Sequence, residues 1–344
     1  MPAVGIDIEE DAIRFVELVK KEGNVRLKQY GTRPLPPGTI KNGDILNAEE
    51  LTNQLKAFRN EYKFDFANVS LPEEKAYIFR TSVPLADPVQ VHDSIEFQLE
   101  ENVPLALSET LFDYSIINNL HKDPNHLDVV VVALPKQYVA AYSNLIQESG
   151  IFPLSLQIAP TAIARSVLKE RDLRTYMVVN FYQEKTGIII MSHGVAQFTS
   201  TVGIGSNAFT SSIEKHFGVS TEEARKIKRG ESFVPNKERL DMFYSLINTV
   251  SALKDEMQRL FTYWHTFKGR TEDVNDRIER VILCGDDALL PGLDEYLSIM
   301  LETPVDVGNV WTNAFSFDQY VPPMKFNDSL NYAVSVGLAI VDSN

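Results

Sequence analysis

The stretch VGIDIEEDAIRFVEL, residues 4–18, decides how the rest of the chain is read. It starts as an apolar strand, turns at the acids and returns as a second strand. A turn of this kind wraps a phosphate in many proteins, and Gly, Ser and Thr then let backbone N–H groups approach the anion. Here the turn carries Asp7, Glu9, Glu10 and Asp11. The strands predicted around it are Ala3–Ile8, Ile13–Lys20 and Val25–Thr32, with Lys21 to Asn24 as a hairpin turn. RPLPPGT, residues 33–39, then breaks the sheet, and Asn47 N-caps a helix with Leu51, Leu55 and Phe58 on one face.

The same layout returns later. Strands are predicted at Tyr176–Asn180, Gly187–Met191 and Val195–Val202, followed by a helix over Ala208–Phe217. Two copies of strand–turn–strand–turn–strand–helix predict two similar halves. Between them Asp87-Pro88 opens a helix with Val91, Ile95 and Leu99 on one face, ended at Pro104. The strands LFDYSII and LDVVVVALP follow, and then a helix from Lys136 closed by Gly150. Residues 76–150 therefore read as a small α+β insert. Further on come a helical stretch over Thr221–Phe267, the strand RVILCG, the loop DDALLPG, the helix LDEYLSIML and a closing helix, SLNYAVSVGLAI.

Length and charge narrow the function. At 344 residues two domains are expected, and a net charge of −14 argues against general binding to nucleic acid or anionic membrane. The single cysteine, Cys284, excludes an internal disulfide and reads as an inert core residue in a reducing compartment. Met1 leads straight toward the first strand without a signal-peptide pattern, and the longest apolar run, Val129–Leu134, is too short to span a bilayer. A cytosolic chain, any membrane association of which goes through a partner, is the expectation. His121 and His126 read as parts of a polar loop, and Phe261, Tyr263, Trp264 and Phe267 as a helix face beside Arg259, Lys268 and Arg270.

Several stretches together resemble a known family. The order of the first hairpin, the insert, the second hairpin and the LPGL loop is similar to the two-domain α/β ATPase fold of actin, sugar kinases and heat-shock chaperones, an RNase H-like architecture. Residues 83–117 (VPLADPVQVHDSIEFQLEENVPLALSETLFDYSII), 129–158, 217–228 (FGVSTEEARKIK) and 284–307 resemble the PilM family of type IV pilus assembly, and the insert also resembles that of FtsA. The resemblance implies a first half over 1–75, the insert at 76–150, a connecting helix at 151–175, and a second half at 176–327. A helical subdomain about 213–275 lies in that second half, and a closing helix at 328–344 packs on the first.

It also implies a nucleotide cleft, with ATP and Mg²⁺ as cofactors where one persists. Asp7 stands where the metal-side Asp belongs, and Glu9 where the pattern has Gly, with Glu10 beside it. In the second hairpin the pattern's Asp is Asn180 and its Gly is Tyr182. Gly205-Ser206 replaces a Gly pair, Glu223 and Lys228 are kept in the ribose-side helix, and the adenosine loop reads Gly285-Asp286. Like charges about 4 Å apart repel by roughly 1–4 kcal/mol, so a carboxylate at Glu9 opposes a phosphate. The acidic turn is expected to be a solvated one in a degenerate cleft, and no catalytic residue is assigned.

The leading expectation is a scaffold that binds the N-terminal cytoplasmic peptide of a PilN-like bitopic inner-membrane protein between the insert and the first half. Leu105, Phe112 and Tyr114 are its candidate groove residues. By the same resemblance the assembly ATPase of the pilus machine and a second copy of the chain are further partners. The rival readings are a working ATPase switch and a small-molecule kinase of the same fold.

Overall fold

The computed structural model describes residues 4–117, 125–230, 236–266 and 277–340. His121, Phe267, Lys268 and Arg270 lie outside them. Contacts divide the chain into a unit of residues 1–173, 191–199 and 309–344 and a unit of residues 174–190 and 200–308.

The first unit opens with the antiparallel strands β1 (Val4–Ile8), β2 (Ala12–Lys21) and β3 (Asn24–Pro34). A two-rung hairpin follows, β4 (Ile40–Lys41) with β5 (Asp44–Ile45). Helix α1 (Ala48–Tyr62) begins where the Asn47 side chain accepts the Glu50 N–H at 3.0 Å, and it buries Leu51, Leu55 and Phe58. Phe15 meets Phe58 edge-on at 5.1 Å and stacks on Phe64 at 5.6 Å, so β2 and α1 share one aromatic core. Strand β6 (Phe66–Leu71) then returns parallel to β1.

The insert is β7 (Tyr77–Pro84), α2 (Pro88–Asn102), β8 (Thr110–Ile117) and β9 (His126–Pro135), its sheet ordered β7-β9-β8. Asp87 caps α2 by accepting the Val89 and Gln90 N–H groups, each at 3.0 Å. Val91, Ile95 and Leu99 pack that helix on Val129, Val131 and Ala133 of β9. Helix α3 (Lys136–Glu148) leads out of the insert. Residues 151–175, expected as a connecting helix, open instead with β10 (Phe152–Ile158), and only then comes α4 (Ala159–Val167). β10 pairs parallel with β6 and makes the sheet order β10-β6-β1-β2-β3. Its Pro153 and a bulge between Pro153 and Ser155 suit an edge strand, where a missing N–H disrupts no ladder.

The second sheet has the strands β11 (Thr175–Phe181), β12 (Thr186–Ser192) and β13 (Val195–Val202), and then helices α5 (Ser206–Phe217), α6 (Thr221–Lys228) and α7 (Asn236–Thr266). β14 (Ile278–Gly285), α8 (Leu293–Leu301) and β15 (Val305–Val307) complete it. Its order, β13-β12-β11-β14-β15, is that of the first sheet read from β3 to β10, so the expected repeat is one of topology. On α7, Trp264 is buried and Tyr263 exposed, as a packed helix face requires. The chain closes with α9 (Phe326–Ser329) and α10 (Ala333–Ile340), the latter buried at every residue. Close approach requires glycine here: a Cβ at Gly337 would stand 1.8 Å from the Ala162 carbonyl of α4, and one at Gly5 would stand 2.1 Å from that of Ser335.

Candidate functional site

The acidic turn is only partly solvated, since Glu10 and Asp11 are half-buried and its other two acids are fully buried. Asp7 and Glu9 are each 2% exposed, which corrects the expectation of a solvated turn at these two acids. The Asp7 carboxylate accepts a 2.7 Å hydrogen bond from the Ser70 hydroxyl of β6, and that hydroxyl oxygen accepts the Ile8 N–H at 3.1 Å. The Glu9 N–H closes the turn on the Ala12 carbonyl, Glu10 accepts the Asn42 N–H at 2.6 Å, and Asp11 pairs with Arg14 at 2.7 Å. Asp7, Glu10 and Asp11 thus tie the β1–β2 turn to β6, to the β4–β5 turn and to Arg14 of β2.

The second unit is equally committed. Asn180 and Tyr182 are buried, and the Lys185 ammonium lies 5.0 Å from the Tyr182 ring centre. The first N–H groups of α5, those of Ser206 and Asn207, donate to the carbonyls of Tyr182 and Gln183 at 2.9 Å. A helix N-terminus of this kind would otherwise face an anion. Gly205 is needed because a Cβ would stand 2.4 Å from the Gln183 carbonyl. Gly285, at φ +86°, would carry a Cβ 2.1 Å from that of Phe181. The Asp286 N–H donates to Phe181, and its carboxylate accepts from the Gln183 amide. Lys228 points inward, donates to the Ser206 carbonyl at 3.1 Å and to its hydroxyl, and pairs with Asp287 at 2.9 Å. The Lys228 and Asp287 side chains are at most 8% exposed. Glu223 stays near the surface, its N–H capped by Ser220. A Mg²⁺-bound triphosphate does not fit these residues. The N–H donors and the lysine are engaged internally, and Asn180 offers no metal-side carboxylate.

One open feature of the first unit is a groove of about 450 Å³. One wall is the insert sheet and the other is β10 with the start of α4. Among the described residues both β8 and β10 are edge strands, so each presents backbone groups without a ladder partner on its outer side. The side-chain period of two divides β8 between its faces. Phe112 and Tyr114, with Leu105, pack toward the core of the insert, and Phe112 stacks on His92 of α2 at 4.6 Å. They border the groove by their strand, while Leu111, Asp113 and Ser115 alternate with them opposite Leu134, Val132 and Val130. Leu111, Ile116, Phe152 and Leu154 are large apolar side chains left 43–59% exposed along these two strands.

Arg165 is the charged member of the β10 and α4 wall. It donates from Nη1 to the Gly337 carbonyl at 2.8 Å and from Nη2 to the Gln157 amide oxygen at 3.0 Å. Gln157 donates to Ser155, which donates to Asn68, so a polar chain runs from the groove into the sheet. Burial lowers the pKa of Arg165 from its usual value, though a guanidinium stays charged. No sequence motif marked it. The only signal was one arginine in an otherwise buried helix, APTAIARSV.

Residues 5–342 match the family model described as type IV pilus assembly protein PilM. Among solved structures, the PilM-PilN type IV pilus biogenesis complex matches with a TM-score of 0.79 at 19% identity, over 100% of this chain and 99% of that one. The ethanolamine utilization protein EutJ of Carboxydothermus hydrogenoformans gives 0.58 at 13%, over 99% and 89%. MreB5 of Spiroplasma citri bound to ADP gives 0.58 at 12%, over 99% and 96%. At these identities the likenesses show the fold, which is the actin-like α/β fold. Among the described residues no helix is long and apolar enough to cross a membrane.

Proposed function

The chain belongs to the PilM family of type IV pilus assembly proteins, and from that premise we propose that it is a scaffold whose groove holds the N-terminal cytoplasmic segment of a PilN-like bitopic inner-membrane protein. One observation carries this reading: two edge strands flank an apolar groove. An extended peptide laid there gains main-chain hydrogen bonds from an edge and side-chain specificity from the apolar wall. Such a segment of about six residues spans roughly 20 Å. Docking draws the scaffold to the inner membrane. The nucleotide loops act as internal struts, so partner binding is independent of ATP and no catalytic step is assigned. The assembly ATPase of the machine and a second copy of the chain are partners of the finished scaffold, outside the groove.

The test is fluorescence anisotropy with the labelled N-terminal peptide of the bitopic partner. Leu111→Asp puts a charge on the apolar wall at a site already 43% exposed, so the fold tolerates it. Binding weakened at least about tenfold, or roughly 1.4 kcal/mol, is the expected result. Unchanged binding sinks the groove reading.

A further inference from the structure

The groove does not end where its apolar wall ends. A second cavity of about 570 Å³ shares Ser115, Thr161, Arg165 and Val195 with it, and Lys169, Glu170, Arg171 and His193 are among its other walls. All of these belong to the first unit. In a chain with 47 acidic and 33 basic residues, a cation usually finds a carboxylate. Here it does not. Both acceptors of Arg165 are neutral, and among the described residues no carboxylate pairs with it, with Lys169 or with Arg171. Asp113 lines the apolar cavity, but its carboxylate accepts the Tyr114 N–H of its own strand.

A half-buried guanidinium loses solvation, and a counter-ion normally offsets that cost. Arg165 is held instead by an amide and a backbone carbonyl, which fix its plane and leave N–H donors of its fork for an occupant. From this geometry we infer that the cationic end of the groove reads a carboxylate, an Asp or Glu side chain carried by the docked peptide at a fixed distance from its apolar anchors. Arg165 makes the bidentate contact, and Lys169 and Arg171 supply the surrounding field. This inference rests on the groove reading and adds the charge that the groove selects.

The experiment is a display selection of short randomised peptides on immobilised protein: the natural chain, Arg165→Lys, Arg165→Gln and Arg171→Gln. Thermal melts check that each is folded. The expected result is an apolar pair with an acid at one fixed offset, the acid lost from the Arg165→Gln selection while the apolar pair stays. In solution, Asp→Asn in a selected peptide then weakens binding about 10- to 100-fold on the natural protein and not on Arg165→Gln. The exposed Arg171→Gln keeps the acid preference and makes binding less sensitive to salt. An apolar pair selected without an acid overturns the inference and leaves the groove reading standing. Recovery of no peptide by the natural protein overturns both. Inorganic phosphate binding the natural protein as tightly as a selected peptide also overturns the inference, because the site would then serve a free anion.

Discussion

Lys228 is the residue on which the reading of the nucleotide loops turns. In a working cleft of this fold its ammonium would face the ligand, but here it bridges Ser206 and Asp287 inside the second unit. Removing one partner of a buried pair leaves the other charge uncompensated, at about 3–5 kcal/mol. Lys228→Met is therefore expected to lower unfolding free energy by that amount in urea titration, and Lys228→Met/Asp287→Leu to recover most of it. A single variant with unchanged stability would mean that the pair is not closed. Cys284 gives a second check. Burial pushes its thiol up to about 12 from an ordinary 9.0. The native group stays protonated while the unfolded one ionises, so its contribution is intact below about pH 9 and is lost as pH rises toward 12. Cys284→Ala should flatten the fall in stability over that alkaline window, and the native thiol should resist alkylation until the chain unfolds.

Among the elements, α10 shows how closely the first unit is packed. Its Gly337 lies against the backbone of α4, so Gly337→Ala must push α10 and α4 apart, and a loss of at least about 1–3 kcal/mol is expected by denaturant titration. Elements marked by local chemistry were legible in the sequence. Asn47 and Asp87 cap α1 and α2 as their side-chain oxygens require, and the three-strand pattern returned in both sheets. β10 was hidden by Pro153, which argues against a strand until its edge position is known. β6 was hidden because Asn68 and Ser70 interrupt its apolar run, although both are buried and bonded in the structure. The groove face of β8 was legible only to within one residue. Leu111 and Phe112 are adjacent and both apolar, so alternation alone cannot say which turns toward α2. The acidic turn read as unsuited to phosphate, but the buried Asp7 finds its partner in Ser70, a residue distant in sequence.

At the scale of the whole molecule, an actin-like chain has kept its two five-stranded sheets and its close glycine contacts. The donors that would serve a nucleotide are turned to internal use. What stays open is a groove between two sheet edges, ending at a cationic corner in a chain of net charge −14. These features are the ones on which the proposed reading rests, a scaffold that recognises a partner without a nucleotide cycle. The most direct measurement is calorimetric titration of the bitopic partner's N-terminal peptide into nucleotide-stripped protein, with and without Mg-ATP, beside a titration of Mg-ATP alone. The account predicts the same peptide affinity in both arms and no heat from Mg-ATP. Nucleotide binding that shifts the peptide affinity tenfold or more, about 1.4 kcal/mol of coupling, would contradict it and make the protein a nucleotide switch.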